Sequence, residues 1–285
     1  MEWELLLVRR LSNLSFPIFT KIRAKRPAMK TPVKLTRRQF LGLSAGAATL
    51  LVGDSVLIEP SSIKTRYVKL GQGETTHRLV QFSDVHHKGD RAHLEDAVKQ
   101  INALSPDFVC FTGDLVEQAE HVDEALTVLK GIKSPLYGVP GNHDYISKAD
   151  FKIINEAFAA TGGRWLLNEN MALDHGQINL IGAVCDQEQI VQPVPGAKNI
   201  VLMHYPVFVS HLEGRTFDLM LAGHSHGGQV RLPFYGAIVL PAGVGQYELG
   251  LYETASGPLY VNPGLGCLYF DIRFNCRPEI TVFEV

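Results

Sequence analysis

The chain has 285 residues, of which 46% are hydrophobic and 20% charged, a composition typical of a globular protein with one large core. Residues 1–38 hold ten of the 27 basic and two of the 29 acidic residues, a net charge of +8, so residues 39–285 carry −10. A body this acidic excludes a nucleic-acid-binding surface, because phosphate binding requires clustered lysine and arginine.

The cysteines give no metal or redox motif. Cys110, Cys185, Cys267 and Cys276 form no C-x-x-C pair, which disfavours zinc knuckles and thioredoxin chemistry. Cys110 lies in the apolar run DFVCFTGD and is expected in the core. Whether Cys267 and Cys276 pair is left open.

The first distinctive segment is LTRRQFLGLSAGAATLLV, residues 35–52. Its apolar run of about a dozen residues is shorter than the ~20 residues of an ordinary membrane span and suits the apolar region of a signal peptide. With Arg37 and Arg38 in front, the segment resembles a twin-arginine export signal, which implies the twin-arginine export machinery as a partner. A basic tail before a core helix is the alternative.

This resemblance implies a location in the periplasm or cell envelope. Ala45 and Ala47 frame a poor cleavage site, so the segment could remain as an anchor in the cytoplasmic membrane. Met29 would begin a shorter signal, MKTPVKLTRRQF, and residues 1–28 are then expected to be an over-extended start. We place the N-terminal extension and signal at residues 1–60 and the catalytic domain at residues 61–285.

Beyond about Thr65, short apolar runs alternate with amphipathic stretches. Strands are predicted at residues 77–84, 107–114, 135–144, 178–184, 199–204 and 217–222. Helices are predicted at residues 94–104, 122–129 and 151–158. The order βαβαβα followed by mostly β predicts an α/β (α+β) fold.

Polar clusters follow the predicted strands: SDVHH, TGDL, GNHD, the histidine of NIVLMH, and GHSHG after FDLMLA. Because sites in open α/β sheets assemble beyond the carboxyl ends of the strands, these five clusters are expected to converge.

The stretch GHSHG has two interpretations. As G-x-S-x-G it would make Ser225 a hydrolase nucleophile, but that fold needs a later histidine and none follows His226. As H-x-H it offers His224 and His226 to a metal, because side chains two apart on an extended chain share one face. We favour the metal interpretation.

Taken together, D-x-H (Asp84, His86), G-D (Gly113, Asp114), GNHD (141–144), His204 and G-H-x-H (223–226) resemble the calcineurin-like metallophosphoesterases, in that family's order across residues 77–230. The stretches GHSHGGQVRLP and RFNCRPEI further resemble its exported or membrane-associated bacterial branch. The resemblance implies a four-layer αββα sandwich of two mixed β-sheets flanked by helices.

The resemblance also implies a binuclear metal centre with the following ligands: Asp84, His86 and His226 for one ion, Asn142, His204 and His224 for the other, and Asp114 for both. Imidazole, carboxylate and amide ligands without thiolate suit Mn, Fe, Zn or Co. Two divalent ions outweigh the two carboxylates and a hydroxide by about one positive charge, which would let an acidic protein hold a phosphate.

Catalysis, on this resemblance, is attack on a phosphodiester by a hydroxide shared between the ions. His143 is expected to protonate the departing oxygen, and Asp144 to orient His143. Gly113, Gly141 and Gly223 are expected to permit tight turns. His87 is expected in a loop.

The leading hypothesis is therefore a phosphodiesterase. Two alternatives remain: a membrane-associated pyrophosphatase on a UDP-linked lipid of the UDP-2,3-diacylglucosamine type, and a non-catalytic envelope-binding protein that uses its metals to dock on anionic polymers. Residues 232–260 could line an apolar groove for a lipid tail or form sheet core, and the sequence favours neither.

Overall fold

The computed structural model of the chain describes residues 35–70, 76–184 and 192–285. Cys185, residues 1–28 and the alternative start at Met29 lie outside the described residues. Residues 46–285 form one compact unit. Cys110, Cys267 and Cys276 are buried free thiols, so the last two do not pair in this structure.

The strands of the fold are, in chain order, β1 (Lys64–Lys69), β2 (Arg78–Phe82), β3 (Phe108–Phe111), β4 (Leu136–Gly138), β5 (Arg164–Trp165), β6 (Glu169–Leu173), β7 (Ile178–Gly182), β8 (Lys198–Leu202), β9 (Leu219–Ala222), β10 (Arg231–Leu232), β11 (Gly236–Ala237), β12 (Gly250–Thr254), β13 (Gly257–Val261) and β14 (Glu279–Glu284).

These strands form two six-stranded mixed sheets and one small hairpin. The first sheet has the order β1-β14-β2-β3-β4-β5, and its strands β2 to β5 run parallel. The second has the order β12-β13-β9-β8-β7-β6, with β7, β8 and β9 parallel. Strands β10 and β11 pair only with each other.

The two sheets pack face to face around one apolar core. Alternation along the strands decides which side chains face inward: Leu79 and Cys110 of the first sheet meet Leu202 and Leu221 of the second, all with no exposed surface. Val80, which follows Leu79 in β2, points to the opposite face of the first sheet, towards the helices.

Helices flank this pair of sheets. The α-helices are α1 (Arg37–Gly53), α2 (Arg91–Ala103), α3 (Val122–Leu129), α4 (Asn142–Ile146) and α5 (Phe151–Ala159). Helices α2, α3 and α5 cover the first sheet, and a 3-10 segment, Pro206–Leu212, packs on the outer face of the second. The expected sandwich of two mixed sheets flanked by helices is therefore confirmed.

Helix α1 continues through two further turns, so that a single helix runs from Arg37 to Ser61. Its 25 residues are long and apolar enough to cross a membrane, a property that signal sequences share. This helix is longer than the apolar run of the sequence because Asp54–Ser61 prolong it. Its last turns belong to the compact unit, since Glu59 accepts from the backbone N–H groups of Asn275 and Cys276. The sequence had placed these turns in the N-terminal extension.

Candidate metal centre

The carboxyl ends of five parallel strands meet at one edge of the sandwich. Strands β2, β3 and β4 lead into Asp84, Asp114 and Asn142, while β8 and β9 of the other sheet lead into His204 and His224. All seven predicted metal ligands lie here, and they divide into two groups around Asp114.

The first group consists of Asp84, His86 and His226, all buried. Oδ1 of Asp84 lies 3.5 Å from Nε2 of His226 and 3.9 Å from Nε2 of His86. Each residue turns one ligand atom towards the same point, which is the arrangement that a bound cation requires.

The second group consists of Asn142, His204 and His224. Nε2 of His204 lies 3.1 Å from Oδ1 of Asn142 and 3.1 Å from Nδ1 of His224. Two imidazoles and an amide oxygen therefore converge here without an acidic residue of their own.

Asp114 lies between the two groups. Its Oδ2 is 3.4 Å from Nε2 of His86 in the first group and 3.2 Å from Nε2 of His204 in the second. Its other oxygen, Oδ1, accepts from the backbone N–H of His143 at 2.7 Å. Because Oδ1 is held by this hydrogen bond, Oδ2 is the atom that both groups share.

The backbone is strained where these side chains leave the strands. Five of the seven residues have positive φ angles: Asp84 (48°), His86 (43°), Asp114 (62°), His224 (67°) and His226 (49°). A left-handed backbone costs on the order of 1 kcal/mol or more for a residue other than glycine. The packing of the two sheets maintains this strain, which is typical of functional sites.

Hydrogen bonds outside the site fix the orientation of three imidazoles. Nδ1 of His204 donates to the carbonyl of Thr112 at 2.8 Å, and Nε2 of His224 donates to the carbonyl of Ala242 at 2.7 Å. Nδ1 of His86 donates to the carboxylate of Glu117. In each ring the proton is thereby held on the outer nitrogen, which leaves the inner nitrogen free to bind a metal.

The donor set fits divalent metal ions. No hydrogen-bond partner within the described parts of the chain reaches Nε2 of His86, a buried nitrogen that faces the carboxylates. A buried polar atom without a partner is costly, and a cation between it and Asp84 would satisfy it. Imidazole, carboxylate and amide donors without a thiolate suit Mn, Fe, Zn or Co.

The electrostatics of the centre favour ionised carboxylate at Asp114. Burial alone would raise the pKa of Asp114, but the surrounding histidines, His204 foremost, bring it well below its usual range. Burial opposes protonation of His204, yet Asp114 and Asp84 raise the pKa of His204 to about 9. Burial and the neighbouring His204 lower the pKa of His224 to about 4. At neutral pH His204 therefore carries a second proton, on its inner nitrogen, when no cation is bound.

Glu117 is a residue of the candidate site that the sequence prediction missed. Its carboxylate contacts His86, and its Oε2 lies 3.1 Å from Nδ1 of His143. Burial would raise the pKa of Glu117, but the hydrogen bonds with these two histidines lower it to about 2. The available signal was an acidic residue three positions after Asp114, on the same loop as a proposed ligand.

The contacts of Asp144 correct the role expected for it. This buried carboxylate accepts from the backbone N–H groups of Asp114, Leu115 and Gly141, at 2.8 to 2.9 Å. The carboxylate beside the imidazole of His143 is that of Glu117. Asp144, in the first turn of α4, therefore caps the start of its own helix and fixes the loop that carries Asp114.

Two of the three motif glycines are needed for close packing and not for a turn. A Cβ at Gly141 would overlap the carboxylate of Asp114, and one at Gly223 would overlap Ser83 and Asp84. Both glycines have a φ angle open to other residues, whereas Gly113 has a φ of 96° and fits the turn expected of it. The carboxylates of Asp114 and Asp84 are thus in direct contact with the backbone of Gly141 and Gly223.

Two further motif residues have structural contacts. The hydroxyl of Ser225 is buried and accepts from the N–H of Gly227 at 3.0 Å, so it caps a turn. His87 is buried, with Nε2 2.8 Å from the carboxylate of Glu124. His87 was expected in a loop, and this partner directs its ring towards helix α3.

Comparison with known proteins identifies the family of this chain. The sequence model of the calcineurin-like phosphoesterase family matches residues 77–228, slightly more than half of the chain. An uncharacterized metallophosphoesterase of Bacillus subtilis, YkuE, is 33% identical over 88% of this chain and 98% of its own. Phosphodiesterase YaeI of Escherichia coli is 26% identical over 88% and 99%. The UDP-2,3-diacylglucosamine pyrophosphatase LpxG of Chlamydia trachomatis is 29% identical over 73% and 83%.

A dimetal phosphatase from Danio rerio is a structural neighbour, with a TM-score of 0.44 and 11% identity over 67% of this chain and 88% of its own. The family resemblance noted in the sequence is confirmed by the family match and by the relatives. The chain belongs to the calcineurin-like phosphoesterase family, a family of metal-dependent phosphoric ester hydrolases.

Proposed function

We propose that this protein is a phosphodiesterase that uses two divalent metal ions. Asp84, His86 and His226 would hold one ion, and Asn142, His204 and His224 the other. The observation that carries the proposal is the position of Oδ2 of Asp114, 3.4 Å from His86 and 3.2 Å from His204. One oxygen within reach of both groups suits a shared ligand.

Bound divalent ions would supply positive charge for the phosphoryl oxygens and lower the pKa of a water molecule. In the reaction, a water oxygen forms a bond to phosphorus while the bond from phosphorus to the leaving alcohol breaks. The water loses a proton and the leaving oxygen gains one. His143 is placed to give that proton, because the carboxylate of Glu117 lies 3.1 Å from its Nδ1 and Nε2 is the nitrogen available to the substrate.

The first experiment combines metal analysis of the purified protein with hydrolysis of bis-p-nitrophenyl phosphate in Mn²⁺. We expect two ions per chain and turnover of the diester. Asp114→Asn should lose the paired ions and the turnover. Turnover with a single ion would contradict the binuclear mechanism. Two bound ions without turnover of any diester, monoester or UDP-linked lipid would favour the non-catalytic envelope-binding protein.

A second candidate function is hydrolysis of the pyrophosphate of a UDP-linked lipid. Two observations support it: the 29% identity to LpxG, and an apolar groove beside His226. Release of UMP from UDP-2,3-diacylglucosamine at a rate above that for simple diesters would establish it. Its nucleotide substrate would lie in the cytoplasm, so the side of the membrane that the domain faces also separates the two candidates.

For the phosphodiesterase we propose export through the twin-arginine machinery to the periplasm or cell envelope, with helix α1 as a possible membrane anchor. The support is Arg37 and Arg38 at the start of an exposed apolar helix. Replacing both arginines by lysine should leave the protein in the cytoplasm of cells that otherwise export it. Export of the lysine variant would contradict the assignment.

A further inference from the structure

An apolar groove of about 600 Å³ opens beside the candidate metal centre. It is lined by Ile238, Val239, Leu268 and Phe270, among others, and also by the proposed metal ligand His226. No acidic residue, lysine or arginine lines it within the described residues. Its volume is within the range of small-molecule sites, and its lining suits an uncharged, flexible group attached to a phosphate.

The rim of this groove exposes large apolar side chains. Val239, Phe270 and Tyr269 expose 71%, 73% and 80% of their surface. Within residues 232–260, Ile238 and Val239 line the groove, whereas Leu259 and Tyr260 are buried in the core of the second sheet. Both possibilities that the sequence left open therefore hold, for different parts of this segment. A cluster of exposed aromatic and aliphatic side chains is typical of a binding surface.

The groove is joined to the long apolar helix through one loop, residues 267–273. Leu268 to Phe270 line the groove, while Cys267 and Asp271 line a second cleft together with Val56 and Leu57 of the helix. The N–H of Arg273, at the end of this loop, donates to the carbonyl of Ser55. The apolar end of the helix and the wall of the groove are therefore parts of one surface.

We propose that this groove binds an acyl chain of a membrane lipid whose phosphodiester is hydrolysed at the metal centre. The proposal rests on the proposed phosphodiesterase activity and names its substrate class. A lipid supplies both a chain for the groove and a phosphate for the adjoining centre. It also accounts for the exposed apolar side chains of Val56 and Leu57, which lie beside the same loop.

The test uses full-length protein in Mn²⁺ and p-nitrophenyl alkyl phosphodiesters with alkyl chains from methyl to dodecyl. Water adds to phosphorus, p-nitrophenol leaves, and the alkyl phosphate remains. We expect kcat/KM to rise about fourfold for each of the first several added methylenes, the value for burial of one methylene. No dependence on chain length would overturn the proposal.

The variants Val239→Asp and Phe270→Ser should lower the ratio of kcat/KM for the dodecyl over the methyl diester at least about tenfold. This ratio cancels any change in folding yield or metal loading that affects both substrates. Tyr67→Ser, which removes an aromatic side chain that is 64% exposed on β1, is the matched control and should preserve the ratio. An unchanged ratio in Val239→Asp would place the chain elsewhere and overturn the proposal.

A binding measurement separates the groove from the reaction. By calorimetry, dodecyl phosphate should bind more tightly than butyl phosphate, and Val239→Asp should remove the difference. If this preference is present but no diester is hydrolysed, the groove stands and the phosphodiesterase proposal fails. If the protein is a dimer that dissociates on introduction of Val239→Asp, the groove is a protein contact and the proposal is overturned. If Val239→Asp loses only its binding to lipid vesicles, the groove is a membrane-docking surface and the proposal is likewise overturned.

Discussion

The backbone N–H of His224 donates to both carboxylate oxygens of Asp84, each at 3.0 Å, although 140 residues separate them. Asp84 follows a strand of the first sheet and His224 follows a strand of the second. The position of Asp84 relative to His224 therefore depends on how the two sheets pack. The close contact also leaves no room for a side chain at Gly223.

We predict that Gly223→Ala displaces Asp84. The new Cβ would overlap both Ser83 and the carboxylate of Asp84, so the backbone must shift. Because misplacement of reacting groups by about 1 Å can cost 100-fold, kcat/KM should fall at least about 100-fold, with metal lost from the first group. Metal analysis and kinetics check this. Gly53→Ala, where the same Cβ meets nothing within 4 Å, is the control. Full metal content in Gly223→Ala would refute the prediction.

The second prediction concerns Glu117→Gln. The hydrogen bond to Glu117 raises the pKa of His143. A general acid acts while protonated, so removing the carboxylate lowers that pKa and moves the alkaline loss of kcat/KM to lower pH. The pH profile of diester hydrolysis measures the shift. Glu95→Gln, which alters only an exposed ion pair with Arg91, is the control and should keep the wild-type profile. An unshifted profile in Glu117→Gln would assign this residue a structural role alone.

The third prediction links metal binding to pH. Without metal, His204 holds a proton because Asp114 and Asp84 raise its pKa to about 9 against the effect of burial. The ion of the second group must displace this proton. Its apparent Kd should therefore fall about tenfold for each pH unit between about pH 6.5 and 8.5.

Calorimetry in buffers of different ionisation enthalpy counts the released proton. Because the pKa of His204 is higher in the fold than the usual histidine value of 6.5, protonated His204 also stabilises the metal-free fold. This contribution is complete below pH 6.5 and is lost as the pH rises through about 9. The increase in Tm on adding metal should therefore be larger at the higher pH. A pH-independent Kd would contradict this linkage.

The fourth prediction concerns Arg273, which is fully buried. Its guanidinium donates to the carbonyls of Pro263, Gly264 and Cys276, at 2.9 to 3.3 Å. The loop held in this way supports the centre, because the N–H of Gly266 donates to the carbonyl of Asp84 at 2.7 Å.

Arg273→Met should lower the free energy of unfolding by about 3 kcal/mol or more, since several buried carbonyls lose a charged donor. Urea unfolding of the metal-free protein measures the loss. Arg273→Lys should recover only part of it, because an ammonium group lacks the planar fork of guanidinium. Arg277→Met, at an exposed position, is the control. Equal stability of Arg273→Met and wild type would refute the prediction.

Local patterns in the sequence predicted the elements near the site well. The helix at 122–129 has the predicted bounds, and the strand predicted at 178–184 is observed at 178–182. Apolar periodicity and the residues that end each run are local signals, so they are readable without the fold. The convergence of the strand ends followed from the general position of sites in parallel sheets.

What the sequence did not reveal depends on distant partners. The place of Glu117 beside His86 and His143 follows from how its loop bends, and the role of Asp144 depends on which N–H groups surround it. The order of the first sheet was equally hidden, because β14 pairs with β1, 215 residues earlier in the chain (Lys64 with Glu279). Such pairings are set by the packing of the whole molecule.

That last pairing has a consequence for biosynthesis. Strand β14 lies between β1 and β2, parallel to the first and antiparallel to the second. Until Glu279–Glu284 have been synthesised and have left the ribosome, β1 has no neighbour and β2 lacks one of its two partners, so the sheet that carries Asp84 and Asp114 stays incomplete while all the proposed ligands are already made.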